Sequence, residues 1–133
     1  MERDLLLADY SAFKTEALES LKETSALLDI KTPVEPNSLA DALSDIEAWG
    51  SRISYLQSKA DAHLDLAEAQ NLLPKSKEIT ELDRETNLKA RVAEQRMLRD
   101  MLRSQLEAIK NRLMLGMTNL TVVRAEIERG IGR

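Results

Sequence analysis

The sequence predicts an all-α fold of long amphipathic helices, arranged as an extended helical hairpin or a coiled-coil bundle that oligomerisation completes. The composition combines 43% hydrophobic and 32% charged residues with only 3% aromatic ones, a mixture typical of long helices. Four glycines and three prolines are too few for the turns of a sheet. Apolar residues also recur at spacings of three and four, which is the period of a helix.

The first helix is expected over residues 4–29 of a single helical domain that spans 1–133. Its apolar stripe consists of Leu6, Tyr10, Phe13, Ala17, Leu21 and Leu28. Pro33 and Pro36 follow, and each lacks a backbone donor and restricts the residue before it. Residues 31–37 are therefore predicted to be an extended linker.

The second helix is predicted over residues 38–73, because Ser38 and Asp41 have the spacing of a capping box and no breaker occurs before Pro74. Its stripe consists of Leu39, Leu43, Ile46, Gly50, Ile53, Ala60, Leu64 and Ala67. Since glycine has no Cβ, a neighbouring helix can approach closely at Gly50, beside Trp49.

The third helix is predicted over residues 78–115, with Thr80 as its cap. Its apolar positions, close to a seven-residue repeat, are Leu88, Val92, Leu98, Leu102, Leu106, Ile109 and Leu113. Gly116 is expected to interrupt this helix, because glycine and the threonines that follow are weak helix formers. A short helix over residues 118–129 would complete the chain.

The helix lengths predict a homo-oligomer. A helix over residues 38–73 would be about 50 Å long, whereas a compact domain of this size has a diameter of roughly 35 to 40 Å. A single chain would then be an open hairpin with much of its apolar stripe exposed, and further copies would bury that stripe. The candidate interface residues are Leu102, Leu106, Ile109, Leu113, Met117 and Leu120.

The sequence lacks the residue patterns of the common enzyme sites, so a non-enzymatic protein is expected. There is no cysteine, and His63 is the only histidine, so a zinc site of several such ligands cannot form. Asp61, Asp65 and Glu68 lie near His63 and are interpreted as a solvated helix face rather than a metal site. No cofactor, small-molecule substrate or membrane span is expected, and the absence of cysteine fits the cytoplasm.

Basic residues recur every seven positions at Lys89, Arg96, Arg103 and Lys110, and this set is called the basic ridge below. It would run about 30 Å along one helix face. Residues 1–74 have a net negative charge and residues 75–133 a net positive one. The ridge is therefore open to two interpretations. It binds a polyanion, or it pairs with the acidic first or second helix.

The segment Leu106-Glu107-Ala108-Ile109-Lys110-Asn111-Arg112 resembles the C-terminal helix of the recombination mediators of tailed phages, the UvsY-type family. The similarity extends more loosely to the chain length, to Trp49 early in a long middle helix, to a polar break before the last helix and to about twenty residues after the segment. It implies a ring-like homo-oligomer that binds single-stranded DNA and loads a RecA-like recombinase onto DNA coated by a single-strand-binding protein.

The residues that carry over from this resemblance are Lys75 and Lys77, just after the middle helix, and Lys110 and Arg112 in the matching segment. Family members are basic and aromatic after the middle helix, whereas this chain has no aromatic residue there. With the basic ridge and Arg99, the candidate nucleic-acid-binding residues are Lys75, Lys77, Lys89, Arg96, Arg99, Arg103, Lys110 and Arg112.

Two functions are consistent with the sequence. The first is a single-stranded-DNA-binding recombination mediator that assists recombinase loading. The second is a structural or interaction protein, such as a phage assembly or inhibitory coiled-coil factor, that binds a protein partner and no nucleic acid. They differ in whether the basic ridge is free or is used in internal salt bridges.

Overall fold

The structure, a computed structural model, describes residues 2–31, 33–75 and 77–130, with the side chains of residues 2–8 excepted. It contains the helices α1 (Glu2–Asp29), α2 (Pro36–Asn71), α3 (Glu81–Arg91) and α4 (Ala93–Glu128). No strand occurs in the described ranges, and the all-α prediction is confirmed. The side chain of Leu6, at the start of the predicted stripe, lies outside the described part.

Helix α2 begins earlier than the sequence indicated. The predicted cap at Ser38 is wrong, because Glu35 is the N-cap residue and its carboxylate accepts hydrogen bonds from the backbone N–H groups of Asn37 (3.0 Å) and Ser38 (2.7 Å). Pro36 takes the first helical position, where its missing donor costs nothing. The predicted linker is therefore shorter than residues 31–37.

The interruption in the last part of the chain lies at Val92, between α3 and α4, and not at Gly116 as predicted. Val92 has φ −106° and ψ 14°, and its buried side chain joins Leu64 and Ala67 of α2. Gly116 lies inside α4, which runs without a break to Glu128, so the predicted separate helix over residues 118–129 is part of α4. The predicted cap at Thr80 is confirmed, since its hydroxyl accepts from the N–H of Asp83 at 3.1 Å.

Helices α2 and α4 pack against each other in antiparallel directions. A Cβ atom added at Gly116 would lie 2.2 Å from Cδ2 of Leu43, and one added at Gly50 would lie 3.1 Å from Cγ2 of Ile109. The close approach predicted at Gly50 is confirmed, and Gly116 provides a second and tighter one. Both glycines are buried, and they allow the two backbones to come close together.

Helix α1 lies along one side of the α2–α4 pair, antiparallel to α2 and parallel to α4. It contributes Phe13, Ala17 and Leu21 to the main core, together with the buried polar residues Ser20 and Thr24. Polar contacts hold it at several levels, including a hydrogen bond from Arg52 Nε to Ser20 Oγ (3.2 Å). The main core is thus a three-helix arrangement, and it extends only as far as α1 does.

No helix in the described part of the chain has a stretch long and apolar enough to cross a membrane.

Candidate interaction surfaces

The structure uses part of the basic ridge inside the chain. Arg96 on α4 forms an ion pair with Glu68 on α2 at 3.8 Å. Arg99, next to the ridge, pairs with its neighbour Asp100 at 2.9 Å. Both arginine side chains are partly shielded from solvent. A polyanion would have to compete with these carboxylates, which lowers the gain from binding.

Arg112 is a structural residue. Its guanidinium donates hydrogen bonds to the backbone carbonyls of Leu28 (3.3 Å) and Ile30 (2.6 Å), at the C-terminal end of α1. The last carbonyls of a helix have no partner within that helix, so a cation placed there satisfies them and also interacts favourably with the helix dipole. Arg112 therefore fixes the point on α4 where α1 ends, and a strand of nucleic acid would have to compete with these carbonyls for its guanidinium.

The remaining candidate cations are exposed. They are Lys75, Lys77, Lys89, Arg103 and Lys110. None of these five makes an ion pair within the part of the chain that the structure describes. The predicted basic ridge is thus divided, with Arg96 paired and the other three members free.

The candidate interface residues also fall into two groups. Leu102 and Ile109 are fully buried in the main core, and Leu106 packs against that core, so the chain itself covers them. Leu113, Met117 and Leu120 line a groove between α2 and α4 on the opposite side from α1. Met117 is the most exposed of the six, Leu106 and Leu113 are half-buried, and Leu120 is buried in the contact between α2 and α4.

Beyond Arg112, α2 and α4 are the only helices of the described residues that continue, because α1 ends beside Arg112. We call this part, residues 36–48 of α2 with residues 113–128 of α4, the two-helix arm. Its core is a small cluster of Leu39, Leu43 and Leu120, separate from the main core. The arm is therefore the section of the molecule that lacks a third helix.

The α4 side of the two-helix arm is unusually apolar for a solvent-exposed helix. Residues 113–123 include no charged side chain, in a chain of which 32% is charged. Several large apolar side chains in this run are exposed, including Met114 (66%), Leu115 (62%) and Met117 (56%). Exposed apolar side chains grouped in one stretch of helix are a feature of interaction sites, and Met117 is the one of these three that lines the groove.

The groove that begins in the two-helix arm has a volume of about 430 Å³. On α2 it is lined by Leu43, which belongs to the predicted stripe, and by three residues that sequence reasoning did not single out, Ala40, Ser44 and Glu47. A second concavity continues it past Gly50 and Ser54 on α2, opposite Leu106 and Lys110 on α4. Ala40, Ser44 and Glu47 flank the predicted stripe at helical spacing, and that spacing is the signal that could have found them.

A second group of side chains lies on the opposite side, between α1 and α2. The His63 ring stacks on Phe13, with ring centroids 4.8 Å apart, and packs edge-on against Tyr10 at 5.5 Å. Burial lowers the pKa of His63, Asp9 at 3.8 Å opposes that change and Lys59 adds to it. This arrangement is hydrophobic packing around a neutral imidazole.

Burial and then the Glu94 carboxylate raise the pKa of Tyr10, whose hydroxyl has no hydrogen-bond partner within the described part. Glu94 in turn pairs with Lys14, which ties α1 to α4. Among the residues that the structure describes, no three acidic or histidine side chains lie close enough together to hold a metal ion.

No protein-family model matches this chain, and its comparison with curated proteins and with solved structures finds no significant match.

Proposed function

We propose that this chain is a non-enzymatic interaction protein that binds another amphipathic helix in the groove between α2 and α4. The observation that carries the proposal is the open, apolar groove of the two-helix arm, beside the uncharged run 113–123. In helix recognition by such a groove, the bound helix inserts apolar anchors spaced three and four residues apart, and Leu113 and Met117 provide apolar surface on one wall to receive them. A helix bound there would give the two-helix arm a third packing partner, as α1 does for the rest of the molecule.

The proposal is tested with a hydrophobic fluorescent dye of the anilinonaphthalene type, added to dilute protein. An open apolar groove binds the dye, and Met117→Glu reduces the fluorescence because it places a negative charge in the groove wall, which repels the anionic dye. Met114→Glu is the matched control, since Met114 is 66% exposed on the same helix and is not among the residues that line the groove. Equal fluorescence from both variants, or none from the wild-type protein, would contradict the proposal.

A second candidate function is the single-stranded-DNA-binding recombination mediator that the sequence resemblance implies. The five candidate cations without an ion pair support it. Against it, Arg112 is used to cap α1, Arg96 is paired, and no aromatic side chain interleaves with the basic ridge to stack on bases. The balance of these observations favours a protein partner.

The double variant Lys89→Glu with Arg103→Glu tests this second function, because both cations are exposed and unpaired. Loss of binding to a labelled oligonucleotide, together with a wild-type affinity that falls steeply with salt, would support it. The control is Lys22→Glu with Lys31→Glu, an equal change in net charge at two exposed lysines in the acidic half of the chain. Equal effects of the two double variants would indicate non-specific charge attraction and count against a DNA site.

A further inference from the structure

We propose that the helix bound in the groove belongs to a second copy of this chain, so that two copies join through their two-helix arms around a two-fold axis parallel to the helices. Each α4 then packs beside the α2 of the other copy, and the arms together form a four-helix bundle of alternating direction. This inference rests on the proposed function, because it names the partner of the same groove.

The surface area of the chain supports a large interface. The chain exposes 9365 Å², whereas a compact monomer of this mass exposes about 7,000 Å². The surplus is roughly 2,300 Å², and a stable interface of standard size takes only about 800 Å² from each partner. The chain thus has enough uncovered surface for such an interface without giving up contacts within the monomer.

The position of α1 leaves the groove open for this packing. Helix α1 contacts α2 through Arg52 and His63, on one flank of that helix. The groove is lined by Glu47, Gly50 and Ser54, which lie on the other flank. A second copy can therefore pack on the groove side while α1 stays in place.

The charged residues that line the groove favour a second copy as the occupant. Glu47 on α2 and Lys110 on α4 are the charged side chains among its lining residues. Within the described part of the chain neither of them forms an ion pair. An acidic residue on one wall and a basic residue on the other is a self-complementary pattern, which a two-fold interface needs.

The register of α2 against α4 places opposite charges at one level. Gly50 faces Ile109 within the chain, so Glu47 and Lys110 line the same stretch of groove without forming an ion pair. A two-fold axis parallel to the helices places each residue of the second copy at the same height along the bundle as in the first. Glu47 of one copy therefore comes beside the partner's Lys110, and the same pair forms again on the other side.

The first test measures mass by sedimentation equilibrium over a range of protein concentrations. The wild-type protein is expected to be a dimer, and Met117→Lys to weaken the dimer on the order of tenfold or more, because it buries a charge at the centre of the interface. Met97→Lys should dimerise like the wild-type protein. A wild-type protein that stays monomeric throughout, or a dimer equally stable in both variants, would overturn the proposal.

The second test uses a charge exchange between copies. Glu47→Lys and Lys110→Glu, each alone, place two like-charged pairs in the homodimer and should weaken it several-fold. A mixture of the two variants restores both pairs as opposite charges, so a mixed dimer should form more tightly than either homodimer. No preference for the mixed dimer would contradict the two-fold arrangement.

The dye and mass measurements separate the two proposals. Dye binding that depends on Met117 in a protein that remains monomeric would retain the groove as a binding site and reject a second copy as its occupant. Dimers that ignore Met117, in a protein that binds no dye, would reject both. Dimers lost only in the arm variants, with dye binding by the diluted wild-type protein, would support both.

Discussion

Two glycines set the distance between the long helices. In isolation each destabilises a helix by about 1 kcal/mol relative to alanine. At Gly116 an added Cβ would lie 2.2 Å from Cδ2 and 3.2 Å from Cγ of Leu43, so the whole leucine side chain must move. At Gly50 the atom nearest to an added Cβ is the Cγ2 methyl of Ile109 at 3.1 Å, and this methyl would need to move only slightly.

Gly116→Ala is therefore expected to destabilise the protein, because an overpacking cost of about 1 to 3 kcal/mol exceeds the gain in helix propensity. Gly50→Ala is the matched control and should change the free energy of unfolding little, since the overpacking cost and the gain in helix propensity are of similar size there. Urea denaturation measures both free energies of unfolding. If Gly116→Ala were the more stable of the two variants, the close packing on Leu43 would be incorrect.

His63 provides a pH-dependent prediction. Burial lowers its pKa in the folded protein, so the unfolded chain binds a proton more readily. The contribution of His63 to the free energy of unfolding is therefore fully present above pH 6.5, its pKa in the unfolded chain. This contribution decreases as the pH falls from there toward the lower pKa of the folded protein.

NMR can follow this single histidine directly, and its titration midpoint is expected below 6.5. His63→Gln should remove the corresponding part of the pH dependence of stability. A midpoint at or above 6.5 would mean that α1 does not cover the ring as the structure shows it.

At the scale of the elements, α1 is the most weakly held of the long helices. It buries Phe13, Ala17 and Leu21 but also the polar residues Ser20 and Thr24, and several of its remaining contacts are ion pairs or hydrogen bonds at the surface. Surface ion pairs contribute little, with a median of about 0 to 1 kcal/mol each. Local opening should therefore begin with α1.

Phe13→Ala is expected to lower hydrogen-exchange protection throughout α1, because removal of a buried phenyl ring costs about 3 to 5 kcal/mol. Amides of α2 and α4 near Gly50 and Ile109 should retain more protection, since these two helices pack directly on each other. Leu18→Ala serves as the control on the same helix, where the side chain is 41% exposed. A uniform loss of protection across all the helices would show that α1 unfolds only with the rest.

At the scale of the whole molecule, the length of the helices decides the shape. Helices α2 and α4 each contain 36 residues and are about 54 Å long. A compact chain of this size has a radius of gyration near 14 Å. The antiparallel pair is longer than such a domain is wide, which leaves the two-helix arm projecting from the three-helix core.

Small-angle scattering of the Met117→Lys variant should accordingly give a radius of gyration clearly above about 14 Å for a single chain. This variant is chosen because association would obscure the dimensions of the monomer. A value near 14 Å would indicate that the arm folds back onto the core. The groove would then be closed, and both proposals would lose their basis.

The sequence by itself determined the helical class, the approximate extent of α1 and α2, the cap at Thr80 and the close approach at Gly50. The helices and the cap depend on residues near in sequence, such as the three-and-four spacing of Leu39, Leu43 and Ile46. The approach at Gly50 was predictable because the missing Cβ is a property of that residue alone, although its partner Ile109 was not. The sequence also indicated Leu113, Met117 and Leu120 as candidate interface residues, although not which of them the chain itself would cover.

Only the tertiary structure decided where the last helix breaks, which cations are free and where α1 ends. Gly116 lies inside α4, where Leu43 occupies the space of its missing side chain, and Val92 interrupts the helix where it packs on Leu64 and Ala67. Arg112 is a cap because the end of α1 lies beside it. Each outcome depends on residues distant in the sequence, and a local pattern cannot specify which of them will meet.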